Sequence, residues 1–151
     1  MTAEHPRTLR LLHVEDNIGD VRLVAEALKE AAGWVHQIVV ACDGVAALDY
    51  LHRRGRYIDA SRPDLILLDL NLPKKSGLEV LAEIKSDTRL VHIPVVVFTT
   101  SSSPLDISRA YGLHASCYVT KPADLDDLFH VIAITAKFWL NTAELPQAIG
   151  P

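Results

Sequence analysis

Five short apolar segments that alternate with segments of helical periodicity constrain the fold of this chain more than any other feature. The predicted strands are residues 9–14, 35–41, 64–68, 94–98 and 115–119. After the first strand, Ile18, Val21 and Leu28 recur at helical spacing up to Gly33, where we expect the helix to end. Because a crossover between parallel strands is long enough to need a helix, the alternation predicts a doubly wound α/β domain with a parallel sheet.

The four later helices are predicted from the same spacing and from their flanking residues. Leu48 and Leu51 mark the second helix, and residues 78–85 form the third. Pro104 suits the first turn of the fourth helix. We expect the fifth helix to extend from Leu125 to about Leu140.

The composition describes one ordinary domain of 151 residues with a net charge of −4. We place this domain at residues 8–140 and expect the tail, residues 141–151, to be poorly ordered and too short for an output domain. The chain has no long basic run for nucleic acid and no apolar run near the roughly 18 residues of a membrane span. We therefore expect a cytoplasmic protein that binds neither, with Cys42 and Cys117 as reduced thiols.

Chemically reactive side chains stand at the ends of the predicted strands. Glu15 and Asp16 follow the first strand, Asp69 follows the third, and Thr99 and Lys121 follow the fourth and fifth. In an open doubly wound sheet, ligands bind beyond the carboxyl ends of the strands. Carboxylates crowded there must share protons or bind a cation, and a site with oxygen ligands alone suits Mg²⁺.

Each of these residues also has a plain structural explanation. Glu15 and Asp16 could be a solvated helix N-cap, and Asp69 could begin an ordinary turn. Thr99 could be a capping hydroxyl and Lys121 a surface lysine. Their shared position at one edge of the predicted sheet favours a common site over these separate explanations.

Four motifs at the strand ends resemble the receiver domains of two-component response regulators. They are Val14-Glu15-Asp16-Asn17, Leu67-Leu68-Asp69-Leu70-Asn71-Leu72-Pro73 with Ser76-Gly77, Phe98-Thr99-Thr100-Ser101 and Tyr118-Val119-Thr120-Lys121-Pro122. The resemblance covers about residues 8–140 and implies a flavodoxin-like (βα)5 fold with strand order 2-1-3-4-5. That order puts Cys42 and Cys117 at opposite edges of the sheet, roughly 19 Å apart and too far for a disulfide. Within the family, the chain looks most similar to small stand-alone regulators that partner phytochrome histidine kinases.

The resemblance assigns roles to the residues at the strand ends. It implies that Asp69 accepts a phosphoryl group from a sensor histidine kinase, so that the chain is a signalling phosphoacceptor rather than an enzyme. Mg²⁺ would be bound by Asp16, Asp69, the backbone carbonyl of Asn71 and, directly or through water, Glu15. Lys121 would contact a phosphate oxygen, with a cis bond before Pro122 fixing the loop, and Thr99 would hydrogen-bond the phosphate.

The same resemblance implies how a signal would leave the site. Thr99 would move toward the phosphate, Tyr118 would rotate inward, and the surface formed by the fourth helix, fifth strand and fifth helix would change. Asn71 and Ser101 would influence the lifetime of the phosphorylated state. The apolar residues Phe138, Trp139 and Leu140 suggest burial, either against the domain itself or in a homodimer formed through that same surface and this extension.

Three other interpretations remain open at this point. A Mg²⁺-dependent phosphatase of the haloacid-dehalogenase type also uses an aspartate nucleophile, but it needs a second acid two residues later, where this chain has Asn71. A flavodoxin-like cofactor binder needs a first loop that accepts phosphate, whereas Glu15 and Asp16 would repel one. A receiver kept only as a scaffold would not need the intact acidic pair with Asp69, Thr99 and Lys121.

Overall fold

The computed structural model describes residues 9–31 and 36–146 and contains a single five-stranded sheet in this part of the chain. The strands are β1 (Leu9–Val14), β2 (His36–Ala41), β3 (Leu65–Leu68), β4 (Val95–Thr99) and β5 (Cys117–Thr120). The helices are α1 (Ile18–Ala31), α2 (Gly44–Leu51), α3 (Gly77–Ser86), α4 (Pro104–Gly112) and α5 (Leu125–Lys137). All strand pairs are parallel in the order β2-β1-β3-β4-β5, which confirms the predicted fold and order.

The continuous aliphatic runs are explained by helices on both faces of the sheet. On one face, Leu12, Val14 and Ile66 pack with residues of α2 and α3. On the other face, the alternate residues Leu11 and Leu65 pack with α1 and α5. Successive strand residues point to opposite faces, so a strand covered on both sides is apolar at every position.

The helices begin at polar caps that the sequence supplies. The side chains of Asp43, Ser76, Ser103 and Asp124 each accept a hydrogen bond from a backbone N–H in the first turn of α2, α3, α4 and α5. Such caps satisfy amides that have no partner inside a helix. The predicted end of α1 at Gly33 and the first residue of the second predicted strand, Val35, lie outside the described residues.

The chain beyond α5 differs from the expectation of a loose tail. A π-helical turn, Phe138–Thr142, follows α5. It places Leu140 in the chain's own core at 7% exposure, with Trp139 packed against that core. Leu145 is buried there as well, so residues 141–146 of the expected tail are partly packed on the core, while residues 147–151 lie outside the described part.

Of the two alternatives for the apolar residues at the end of α5, the structure shows packing against the domain itself for Leu140 and, in part, for Trp139. Leu140 is unavailable to a partner because the π-helical turn rotates it onto the core. Trp139 is partly buried for the same reason. Phe138 alone of the three is well exposed, at 49%.

The two cysteines lie at opposite edges of the sheet, as the predicted strand order implies. Cys117 lies in β5 at one edge of the sheet, and Cys42 directly follows β2 at the other, and both are free thiols. Among the described residues, no helix has the length and apolar character needed to cross a membrane.

Two glycines allow the loop between β3 and α3 to pack closely against its neighbours. A Cβ atom at Gly77 would overlap backbone atoms of Asp69 and Leu70, and one at Gly44 would overlap the carbonyl of Lys75. Any larger residue at either position would have to push this loop away. The backbone position of Asp69 therefore depends on the absence of a side chain at Gly77.

We predict that Gly77→Ala lowers the free energy of unfolding by about 1–3 kcal/mol, the usual cost of forcing extra atoms into a packed region. Chemical denaturation of the purified variant measures this loss. Gly112→Ala is the matched control, because a Cβ atom there meets nothing within 4 Å. Equal stability of Gly77→Ala and wild type would contradict the close packing described here.

Candidate functional site

The sheet register brings the predicted site residues together at the carboxyl ends of the strands. β1 pairs Val14 with Leu68 of β3, so the following residues, Glu15 and Asp69, leave the sheet side by side. The N–H of Asp69 donates to the carbonyl of Val14 at 3.1 Å. At the other side of the site, the N–H of Lys121 donates to the carbonyl of Thr99 at 2.6 Å.

Three carboxylates form a cluster of the size that a metal ion needs. One oxygen each from Glu15, Asp16 and Asp69 can be chosen so that all three lie within 4.8 Å of one another. Glu15 and Asp69 are buried, whereas Asp16 is exposed to solvent. A site with carboxylate oxygens on one side and solvent on the other fits a hard divalent cation that keeps several waters. The acidic residues predicted from the sequence are therefore brought together as expected.

The ammonium of Lys121 lies in the middle of the buried acidic groups. Its Nζ donates to Glu15 Oε1 at 2.5 Å, to Asp20 Oδ2 at 2.8 Å and to Asp69 Oδ2 at 3.2 Å. The side chain of Lys121 is only 4% exposed. A buried charge needs partners of this kind, because taking it out of water is costly.

Asp20 is the site residue that the sequence analysis missed. It lies in the first turn of α1, where an acidic residue is ordinary because it interacts favourably with the helix dipole. The only sequence signal was its position four residues after Asp16, on the first turn of a helix that begins at the site. That signal does not reveal a contact with a lysine 101 residues away.

The electrostatics of the site follow from burial and from this ion cluster. Burial alone would lower the pKa of Lys121, but the hydrogen bonds to Asp20 and Glu15 and the charge of Asp69 raise it above its ordinary value. Burial would raise the pKa of Asp69, yet the Lys121 charge and the hydrogen bond from the Asn71 N–H hold it below its ordinary value. Asp69 is therefore an ionised carboxylate at neutral pH, as a nucleophile must be.

Burial shifts the pKa of Glu15 and the pKa of His13 in opposite directions. Burial raises the pKa of Glu15 to about 7, although Lys121 opposes the change. His13, in the core beneath the site, has its pKa lowered to about 4 by burial and by the charge of Lys121. His13 is therefore neutral at pH 7 and adds no positive charge to the site.

The loop after β4 connects Thr99 to α4 and β5. The N–H of Ser101 donates to Thr99 Oγ1 at 3.4 Å, and the hydroxyl of Ser101 donates to Asp106 Oδ2 at 2.6 Å in the first turn of α4. The hydroxyl of Tyr118 donates to the carbonyl of Ser101 at 2.8 Å. A movement of Thr99 would therefore displace Ser101, which contacts it directly. Through Ser101 it would also change the hydrogen bonds with Asp106 and Tyr118.

Asn71 and Pro122 lie in the loops that carry Asp69 and Lys121. The N–H of Asn71 donates to Asp69 Oδ1 at 3.1 Å and orients that carboxylate. The expected cis bond before Pro122 is wrong, because the described residues contain no cis peptide bond. A trans bond is the ordinary preference by about 0.5–1 kcal/mol, and the contacts of Lys121 with Thr99 and the carboxylates fix the loop instead.

Comparison with known proteins identifies the family that has this fold and site. The family model described as the response regulator receiver domain matches residues 11–133. The response regulator Rcp1 of Synechocystis is 49% identical over 138 residues, which cover 91% of this chain and 93% of that protein. The chain belongs to the response regulator receiver family, and the haloacid-dehalogenase interpretation receives no support from these matches.

Two solved structures of relatives are similar over nearly their whole length. The crystal structure of the phosphorylated cyanobacterial phytochrome response regulator RcpA has a TM-score of 0.90 at 52% identity, covering 93% of this chain and 100% of that one. The Mn²⁺-bound form of Rcp1 has a TM-score of 0.89 at 48% identity, covering 92% of this chain and 99% of that one. The chain described here is thus homologous to phytochrome response regulators.

We predict that Lys121→Met, measured without a divalent cation, lowers the free energy of unfolding by about 3–5 kcal/mol, because it leaves buried carboxylates without their counter-charge. Denaturant titration at neutral pH is the measurement. The control is Lys75→Met, which removes a half-exposed ion pair with Glu83 and should cost no more than about 1 kcal/mol. A similar small loss for both variants would contradict the central position of Lys121.

Proposed function

We propose that this chain is a response regulator in which Asp69 accepts a phosphoryl group from the phosphohistidine of a sensor histidine kinase, with Mg²⁺ as the cation. The observation that carries the proposal is the position of Asp69, which is shared by the acidic cluster and by the Lys121 ion pair. Phosphoryl transfer depends mainly on positioning and on neutralising charge, and these contacts supply both.

In the transfer, a carboxylate oxygen of Asp69 bonds to phosphorus while the bond from phosphorus to the donor's imidazole nitrogen breaks. The electron pair of that bond stays on the imidazole, which leaves. The Asn71 N–H and the Lys121 ammonium contact different oxygens of Asp69, so the carboxylate is oriented before the donor arrives. Lys121 then transfers its hydrogen bond from Asp69 to an oxygen of the phosphoryl group.

The cation would be held by Glu15, Asp16, Asp69 and the backbone carbonyl of Asn71. When bound, Mg²⁺ supplies positive charge that offsets the repulsion between these carboxylates and the phosphoryl group. The donor set supports this metal, because all four ligands are oxygens. The family relative Rcp1 has been crystallised in a Mn²⁺-bound form, which supports a divalent cation as the ligand.

The proposed donor is a phytochrome-type histidine kinase. The support is the likeness to RcpA, a cyanobacterial phytochrome response regulator, at 52% identity over 93% of this chain. The exchange would take place in the cytoplasm, where free thiols such as Cys42 and Cys117 stay reduced. In this account the chain is a phosphoacceptor that assists its own phosphorylation and dephosphorylation, and it binds neither nucleic acid nor membrane directly.

The signal would leave through the surface formed by α4, β5 and α5. Once phosphorylated, Asp69 would attract the Thr99 hydroxyl, which now accepts from the Ser101 N–H. Movement of Thr99 would release the Ser101 loop and, with it, the hydrogen bond from Tyr118. Asn71 and Ser101 would then influence how readily water reaches the phosphoryl group, and so its lifetime.

A second copy of this chain is the proposed partner on the same surface. Tyr111 of α4, Ile134 of α5 and Phe138 are exposed apolar side chains at 48%, 56% and 49%. Exposed apolar groups that recur on adjoining elements are typical of protein interfaces. Of Phe138, Trp139 and Leu140, Phe138 is the residue whose side chain is exposed enough for such a contact.

We predict that incubation with Mg²⁺ and a small phosphodonor such as acetyl phosphate adds one phosphoryl group, and that Asp69→Asn abolishes the addition. Intact-mass spectrometry measures both results. Asp59→Asn is the control, because it makes the same change of charge at an exposed position outside the site. Phosphorylation of Asp69→Asn at the wild-type level, or no addition to wild type, would refute the phosphoacceptor role.

We also predict that Phe138→Ser weakens self-association by about tenfold, the effect expected of an aromatic anchor at an interface. Sedimentation equilibrium with and without phosphodonor gives the dissociation constants. The control is Ile58→Ser, which removes an apolar side chain exposed at 67% outside the proposed surface. A monomer under all conditions would rule out the dimer.

A further inference from the structure

Asp20 is a carboxylate at the site that belongs to a helix rather than to a strand end. Asn17 caps the start of α1, since its side-chain oxygen accepts from the Asp20 N–H at 3.1 Å and its carbonyl accepts from Val21 at 3.1 Å. The cap fixes the first turn of α1 above the sheet. From that turn, Asp20 Oδ2 reaches Lys121 Nζ at 2.8 Å, with its side chain 17% exposed.

The three carboxylates that accept hydrogen bonds from Lys121 differ in the other roles proposed for them. A lysine ammonium has three N–H donors, and in this structure Glu15, Asp20 and Asp69 accept from it. Glu15 and Asp69 belong to the acidic cluster suited to a cation, and Asp69 is also the proposed phosphoacceptor. Among the three carboxylates that accept from Lys121, Asp20 alone has no second assignment, so it can keep the same contact before and after phosphorylation.

We propose that Asp20 is a positioning residue that holds the Lys121 ammonium in place while its other two partners are exchanged for the cation and the phosphoryl group. This inference rests on the proposed function of Asp69. It assigns to α1 a part in the chemistry, in addition to its packing against the sheet.

The physical reason for an anchor is the flexibility of lysine. A lysine side chain has four rotatable carbon bonds, and ordering it costs up to about 2 kcal/mol of rotamer entropy. Catalysis by a charged group is efficient when the group is already in position as charge develops. A carboxylate that retains its contact with Lys121 keeps the ammonium at the site after Glu15 and Asp69 have changed partners.

Asp20 also competes with the phosphoryl group for the Lys121 ammonium, because both are negatively charged. The two effects predict opposite results for removal of Asp20. Loss of an anchor slows phosphorylation, whereas loss of a repelling charge speeds it. The hydrogen-bond distance of 2.8 Å and the partial burial of Asp20 favour the anchor, because a short contact shielded from water is a strong one.

The test compares wild type with Asp20→Ala and Asp20→Asn in phosphorylation by acetyl phosphate and Mg²⁺. We expect Asp20→Ala to slow the reaction by about tenfold, the size of a lost hydrogen bond between charged groups. Asp20→Asn keeps an oxygen that accepts from Lys121 and should fall between Ala and wild type. Glu26→Gln makes the same charge change at an exposed position of α1 and should match wild type.

A second readout follows Lys121 itself and does not depend on the reaction rate. In protein labelled with ¹⁵N at lysine Nζ, the buried ammonium of Lys121 should give a slowly exchanging signal before and after phosphorylation. In Asp20→Ala the signal of the phosphorylated protein should broaden, because the ammonium has lost its permanent partner. A merely structural role of Asp20 in α1 would leave this signal sharp while lowering stability.

The possible results separate this inference from the proposed function. If wild type takes up no phosphoryl group, the proposed function fails. If wild type is phosphorylated but both Asp20 variants react at its rate or faster, Asp20 does not position Lys121 and the inference fails. A sharp Lys121 signal in phosphorylated Asp20→Ala overturns it as well.

Discussion

The buried ammonium of Lys121 is the contact on which the rest of the site depends. Its carboxylate partners come from the end of β1, from α1 and from the end of β3, and Lys121 itself follows β5. Such a contact exists only if these elements meet at one edge of the sheet, which the order β2-β1-β3-β4-β5 provides. Without the ammonium, the buried Glu15 and Asp69 would face each other with no counter-charge in the described structure.

The same geometry explains why the loop that carries Asp69 tolerates so little change. The carboxylate of Asp69 must lie within reach of both Lys121 and the acidic cluster. Its backbone is packed so closely against Gly77 that no side chain fits there. The helix α3, which starts at this glycine, therefore positions Asp69 through contact with its backbone rather than through a side chain.

The connection from the site to the outer surface is a short chain of hydrogen bonds. Thr99 is fully buried at the end of β4, and it accepts from the Ser101 N–H. Ser101 in turn contacts Asp106 through its hydroxyl and Tyr118 through its carbonyl. In the proposed switch, a phosphoryl group on Asp69 would shift the balance between two positions of Thr99 only by as much as it prefers one of them.

The strands, the helices and the position of the site were predicted correctly from local pattern, whereas the strand order came from the family resemblance. Residues 65–68 are aliphatic because β3 is covered on both faces, and the polar residues after each strand mark the edge where ligands bind in folds of this kind. The features that sequence reasoning missed depend on contacts between distant parts of the chain. Periodicity in α1 indicates which face packs on the sheet, but it does not show that Asp20 meets Lys121.

The sequence left two alternatives open at the end of the domain for a related reason. Phe138, Trp139 and Leu140 are a run of apolar residues with no indication of which of them turn inward. The π-helical turn decides this by placing Leu140 on the core and leaving Phe138 exposed. The cis bond expected before Pro122 came from the family resemblance alone, and the loop is positioned without it.

The most direct test of the central claim is a crystal structure of the protein with Mg²⁺ and a phosphoryl analogue such as beryllofluoride on Asp69. The account predicts that Lys121 Nζ leaves Asp69 Oδ2, donates to the analogue and remains within hydrogen-bond distance of a protein carboxylate. A Lys121 side chain turned out to solvent, with the analogue neutralised by other groups, would contradict the account.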